Sequence, residues 1–139
     1  MAALKSRYYQ KIDEEVYSAI LDNGMSLSII KKKGFVEKAA FLSTNFGALD
    51  NLFFIDGVSE SYPAGFAHFL EDKLFEDEQG RDVTLDFVKL GADVNAFTTL
   101  EKTTYYFSTL DHFEESLELL SSPLSASAFT SAAVGLLSV

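Results

Sequence analysis

No cysteine occurs in the 139 residues. Disulfides and thiolate metal sites are therefore excluded, and nothing points to an oxidising compartment. Nor does any apolar run reach the ~18 residues that a membrane-spanning helix needs. The start, Met1 to Gln10, carries Lys5 and Arg7 with no apolar stretch behind them. A secretory signal is not expected there, and a cytoplasmic protein with no membrane partner is the default expectation. Positive charge is scarce: 11 Lys and Arg stand against 21 Asp and Glu, for a net charge of −10. The imbalance sits in the second half, where residues 71–139 hold four basic and thirteen acidic side chains. A surface this acidic repels phosphate backbones, so nucleic acid is excluded as a partner. Otherwise the acidity reads as solubility. Hydrophobic residues make up 47% and aromatics 14%, a composition that packs a core and argues against disorder. At this length one domain is expected.

The chain divides into a polar surface arm (1–15), an α/β domain (16–120) and a Ser/Ala-rich tail (121–139). Val16 to Leu21 and Met25 to Ile30 flank Asp22-Asn23-Gly24, and Asn-Gly between two β-prone runs predicts a hairpin. Lys38 to Asn45 predicts a third strand, and Asp50 to Ser61 a loop whose Leu52-Phe53-Phe54-Ile55 packs back on the sheet. Asp82 is placed to cap a short helix with apolar positions Val83, Phe87 and Leu90, ended by Gly91. Asp93 to Thr98 and Thr103 to Thr109 read as strands. Asp111, with Glu114 three residues on, predicts the start of a last helix with Phe113, Leu117 and Leu120 as its apolar stripe. The fold class expected is α+β, a mixed and mainly antiparallel sheet with helices on one face. From Ser121 on there is no charge and no clean period; a flexible tail and an accidental sequence after a reading-frame change both account for it.

The stretch the rest is built around follows Pro63, from Ala64 to Glu76. Placed on a helix at 100° per residue, Phe66, Leu70 and Leu74 share one side with Phe69 beside them. His68, Glu71, Asp72 and Phe75 take the opposite side. The expectation is an apolar face in the core and an imidazole with two carboxylates presented outward. His-x-x-Glu-Asp is one residue away from the zinc motif His-x-x-Glu-His.

Three blocks, Gly65-Phe66-Ala67-His68-Phe69-Leu70-Glu71-Asp72-Lys73-Leu74-Phe75, then Gly91-Ala92-Asp93-Val94-Asn95-Ala96-Phe97-Thr98, then Tyr105-Tyr106-Phe107, carry a family resemblance. Together with the Asn23-Gly24 hairpin, they resemble the pitrilysin/insulinase-type zinc metallopeptidases (inverzincins), the bacterial cytosolic members in particular. The resemblance implies the fold of the amino-terminal part of such a peptidase domain and zinc as cofactor. It also implies a peptide or protein substrate and a related second half or subunit closing over that substrate. By resemblance His68 is a zinc ligand and Glu71 the catalytic general base. Zinc lowers the pKa of its bound water to about 7, and a carboxylate one helical turn away can take the proton. Asn95, Ala96, Phe97 and Thr98 resemble the edge strand on which the substrate backbone is laid by strand addition.

At the second ligand position this chain has Asp72 where the family has histidine. Aspartate binds zinc, but its shorter side chain draws the metal toward the helix, and it adds a negative charge beside Glu71. The family's third ligand, a glutamate on a later helix, has no counterpart here; Glu114, Glu115 and Glu118 lie on an earlier one. The expectation is a truncated homologue of a zinc metalloendopeptidase, impaired in hydrolysis. The alternative is a non-catalytic, peptide- or partner-binding subunit of the same fold.

Overall fold

A computed structural model describes residues 3–77, 79–126 and 132–138. Strands β1 (Lys5–Tyr9), β2 (Glu14–Ile20), β3 (Ser26–Lys31) and β4 (Lys38–Thr44) come first, then a small hairpin, β5 (Leu52–Ile55) and β6 (Val58–Ser61). Helices α1 (Phe66–Lys73) and α2 (Thr84–Lys89) lead to β7 (Ala92–Thr98) and β8 (Thr103–Thr109), followed by α3 (Phe113–Ala126) and β9 (Ala132–Ser138). The large sheet runs β1-β2-β3-β9-β4-β8-β7. All its neighbours are antiparallel except β3 and β9. The α+β class and the mainly antiparallel sheet are as the sequence predicts.

Alternation along β8 explains where the core lies. Tyr105 and Phe107 are buried toward the helices, while Tyr106 faces the other side and stacks on Phe41 at 5.2 Å. Successive strand residues point to opposite faces. Ala40 and Leu42 of β4, Ala92 of β7, Phe87 of α2 and Leu120 of α3 complete the buried cluster with Tyr105 and Phe107. One sheet face is thus covered by helices, and this buried cluster sits between those two layers.

The hairpin of β2 and β3 closes where Asn23-Gly24 places it, with Leu21 N–H donating to the Met25 carbonyl at 2.8 Å. The segment read as an arm contains β1, exposed along its whole length and paired with β2. The segment 50–61, read as a loop, is instead the β5–β6 hairpin. Its turn is Asp56-Gly57, with φ of 51° and 81°, the left-handed pair that a two-residue hairpin turn demands. Phe53 of that hairpin stacks on Tyr62 (5.2 Å), and Tyr62 on Phe66 at the start of α1 (4.0 Å). Of the insert, Phe53 thus packs on the entry to the motif helix, while Leu52 and Phe54 are exposed.

Asp82 accepts from the Thr84 N–H at 2.8 Å and from the Thr84 hydroxyl at 2.6 Å, fixing the entry to α2. Asp111 and Glu114 do not form the expected capping pair among the described residues. His112, at φ 55°, precedes α3 and its carbonyl takes both the N–H and the hydroxyl of Ser116. Beyond Leu120 the helix continues to Ala126, and 132–138 forms a strand parallel to β3 and antiparallel to β4. Of the segment read as a tail, 127–131 and 139 lie outside the described residues.

Candidate functional site

Helix α1 lies over β7 and β8, at the end of the sheet. Its orientation corrects the reading from periodicity in part: Leu74 packs against the core as expected, but it is not alone there. Ala67 and Glu71, one turn apart, are the buried residues, at 4% and 6% exposure, while Phe69 is 57% exposed. Phe75, which periodicity puts beside the carboxylates, packs edge-on against Tyr105 with ring centroids 5.8 Å apart. The physical reason is local. Ala67 lets the helix approach the sheet, and β7 offers a hydroxyl that makes burial of Glu71 tolerable; a buried carboxylate needs such a partner. Phe66 meanwhile finds its contacts sideways, against Tyr62 and, at 6.3 Å, Phe46.

The polar contacts of Glu71 fall on one oxygen. Its Oε2 accepts the hydroxyl proton of Thr98 and lies 3.6 Å from Nδ1 of His68. The His68 side chain is 70% exposed and the Glu71 side chain 7%, so the imidazole stands at the rim above a carboxylate that is tucked in. Asp72 is exposed on the next residue. Beneath them is Tyr105, whose phenol pKa is pushed up by burial first and then by the charges of Glu71 and Asp72.

Asn95, Ala96, Phe97 and Thr98 all lie on β7, which among the described residues pairs only with β8 and so ends the sheet. Their side chains do not converge. Asn95 and Phe97 are exposed, whereas Ala96 and Thr98 are half-buried toward α1. What the four share is backbone. The N–H of Ala96 donates to Oδ1 of its neighbour Asn95 at 2.8 Å, not to β8. Thr99 N–H bonds the Lys102 carbonyl at 2.7 Å, and antiparallel alternation from that pair directs the N–H and C=O groups of Ala96 and Val94 to the open edge.

Sequence reasoning missed Thr103 and Phe46. Thr103 faces Thr98 across the β7–β8 register, and its hydroxyl donates to the Phe46 carbonyl at 2.8 Å. The signal was the pair of threonines flanking the four residues 99–102 of the turn, which sets them opposite each other.

Zinc can be tested against these residues. A catalytic zinc site takes three protein ligands and keeps an open position. Among the described residues no three His, Asp or Glu side chains converge to hold a metal ion. His68 is available, Asp72 points to solvent, and Glu71 is engaged by Thr98. This donor set does not fit a catalytic zinc centre.

Comparison with known proteins bears on the same residues. The family model described as Insulinase (Peptidase family M16) matches residues 58–136, a span holding α1, β7 and β8. The "Uncharacterized zinc protease YmfH" of Bacillus subtilis (strain 168) is 41% identical over 119 residues, covering 84% of this chain and 28% of the relative. The crystal structure of an M16-like peptidase from Alicyclobacillus acidocaldarius superposes with a TM-score of 0.72 at 33% identity, over 80% of this chain and 26% of that one. Pitrilysin superposes with a TM-score of 0.66 at 18% identity, over 89% of this chain and 13% of its own, a likeness of fold alone. The chain spans 28% of that Bacillus relative and 26% of that Alicyclobacillus structure.

Proposed function

This chain belongs to the insulinase family of peptidases, family M16, and on that footing we propose that it carries the motif helix and substrate strand of a zinc metalloendopeptidase, impaired in peptide-bond hydrolysis by Asp72. In this reading His68 stands in the family's first ligand place, Asp72 in the second and Glu71 in the general-base position, a set that does not by itself hold zinc. An extended segment of a peptide or protein substrate adds along β7 as a further strand. The observation that carries the reading is the free edge of β7 beside α1, with the Ala96 N–H directed away from β8. Main-chain hydrogen bonds then supply the affinity, as in other cases of strand addition.

A second reading keeps the edge and drops the hydrolysis. The chain then binds peptide or a partner, working beside a related subunit that carries the chemistry. The failure of His68, Glu71 and Asp72 to form a ligand cluster favours it.

Two measurements on one set of variants test both. Zinc retained after dialysis and the binding of a fluorescent extended peptide are compared in the parent chain, Asp72→His and His68→Ala. The parent is expected to hold no stoichiometric zinc, Asp72→His to gain zinc, and all three to bind peptide alike. Stoichiometric zinc in the parent that disappears in His68→Ala would make Asp72 a working ligand and overturn the impairment. Absence of peptide binding in every variant would overturn the edge reading.

A further inference from the structure

The resemblance makes Thr98 a contact for substrate, yet its side chain turns the other way. Thr98 is the last residue of β7, half-buried, and its hydroxyl donates to Oε2 of Glu71. The Thr103 hydroxyl lies 3.3 Å from it. A hydroxyl has one proton to give, and a carbonyl or an ionised carboxylate can only accept. Thr103 gives its proton to the Phe46 carbonyl at 2.8 Å. Thr98 has two oxygens within reach, and the charged one is the stronger acceptor. Its proton is therefore committed to Glu71, and the two threonine oxygens face each other at a distance beyond the usual O–H···O range.

We propose that Thr98 is the positioning residue of Glu71. Its backbone belongs to the edge on which a peptide adds, and its hydroxyl holds the carboxylate in the general-base position. One residue therefore couples peptide seating to carboxylate placement. Without the hydroxyl, Glu71 has no partner in the layer under α1 and swings toward solvent beside His68. The meaning of the proposal rests on the function proposed above; the hydrogen bond itself is tested independently of it.

The test is carbodiimide labelling of carboxylates, read residue by residue by peptide mass spectrometry, in the parent, Thr98→Val and Thr98→Ser. Glu71 is expected to label roughly tenfold faster in Thr98→Val, the scale of losing a hydrogen bond to a charged group. Thr98→Ser keeps the hydroxyl and should return Glu71 to within about twofold of the parent rate. Asp72, already exposed, should label alike in all three and serves as the internal reference, while circular dichroism reports that the helix is intact. Equal Glu71 rates in the three chains overturn the proposal. So does a serine variant as fast as the valine one, because packing and not the hydroxyl would then hold the carboxylate. If Thr98→Val does not fold, Thr98→Ala against Thr98→Ser makes the same comparison. Peptide binding is measured separately, so its absence would remove the proposed function and leave the labelling result to stand or fall alone.

Discussion

The side chain of Asn95 occupies the backbone N–H of Ala96 at 2.8 Å, on the side of β7 that faces no other strand among the described residues. A neighbouring amide thus fills, in the free chain, one of the donors that strand addition would use. An incoming peptide must displace it, exchanging one hydrogen bond for another.

Proline at position 96 removes that donor while sparing the β7–β8 ladder, since proline is tolerated where its missing N–H faces outward from an edge. Ala96→Pro is expected to weaken peptide binding about tenfold, with little change in melting temperature. Phe97→Pro, one residue on, removes a ladder bond and should lower stability as well. Fluorescence anisotropy and thermal melts on the two variants separate the effects. Equal peptide binding in parent and Ala96→Pro would place the peptide elsewhere.

Tyr105 makes the fold sensitive to alkali. Its folded-state pKa is raised by burial and by the nearby Glu71 and Asp72 charges, whereas an unfolded tyrosine ionises near pH ~10. The stability it contributes is complete below that pH. Above it, the unfolded chain sheds a proton that the folded chain keeps, and stability falls by up to about 1.4 kcal/mol per pH unit. Denaturant midpoints from pH 8 to 11 should therefore decline more steeply in the parent than in Tyr105→Phe. The exposed Tyr8 and Tyr17, whose pKa values are raised chiefly by hydrogen bonds to Asp13 and Glu15, are common to both chains and cancel in the comparison.

Gly47 sits where the end of β4 crosses the β7–β8 turn. A Cβ there would come within 2.5 Å of the backbone nitrogens of Glu101 and Lys102. The N–H groups of Ala48 and Leu49 bond the carbonyls of Thr99 and Leu100 at 2.9 Å, so neither segment can retreat alone. Gly47→Ala is expected to lose about 1–3 kcal/mol, as overpacked sites do. Because that turn follows Thr98, it should also raise the labelling of Glu71. Chemical denaturation measures the first and mass spectrometry the second.

Phe107 is fully buried, with Phe113 at 5.5 Å and Phe87 at 6.0 Å between centroids. It joins α2 and α3 to the sheet. Phe107→Ala should lose about 3–5 kcal/mol in urea unfolding, against a smaller loss for Phe107→Leu.

Much of this was legible where the signal is local. Asn23-Gly24 fixes its hairpin by its own backbone preferences, and the β7 and β8 runs declare themselves by composition. Asp56-Gly57 carries the same kind of signal, yet the aromatic run before it reads equally as a packed loop insert. The site was legible in its residue types and not in its orientation. Periodicity on α1 counts Phe66, Leu70 and Leu74 as the inward face because they are apolar. The contact that rotates the helix is a hydroxyl on β7, 27 residues further on, which satisfies a buried carboxylate. A pattern within one helix holds no information about that partner. Nor does the composition of 121–139 reveal that 132–138 finds strands on both sides.

An edge that takes in one extended chain can take in another copy's edge, which makes β7 a liability for self-association. Its defence is electrostatic. Net charge is −10, and the half of the sequence that contains β7 holds most of the excess acid. Copies repel one another over the screening length of the solution, about 10 Å at 0.1 M salt and about 3 Å at 1 M. Light scattering should show particles growing as salt is raised, and Ala96→Pro should blunt that growth. The colloidal behaviour of the protein would then report on the same few backbone groups that receive a peptide.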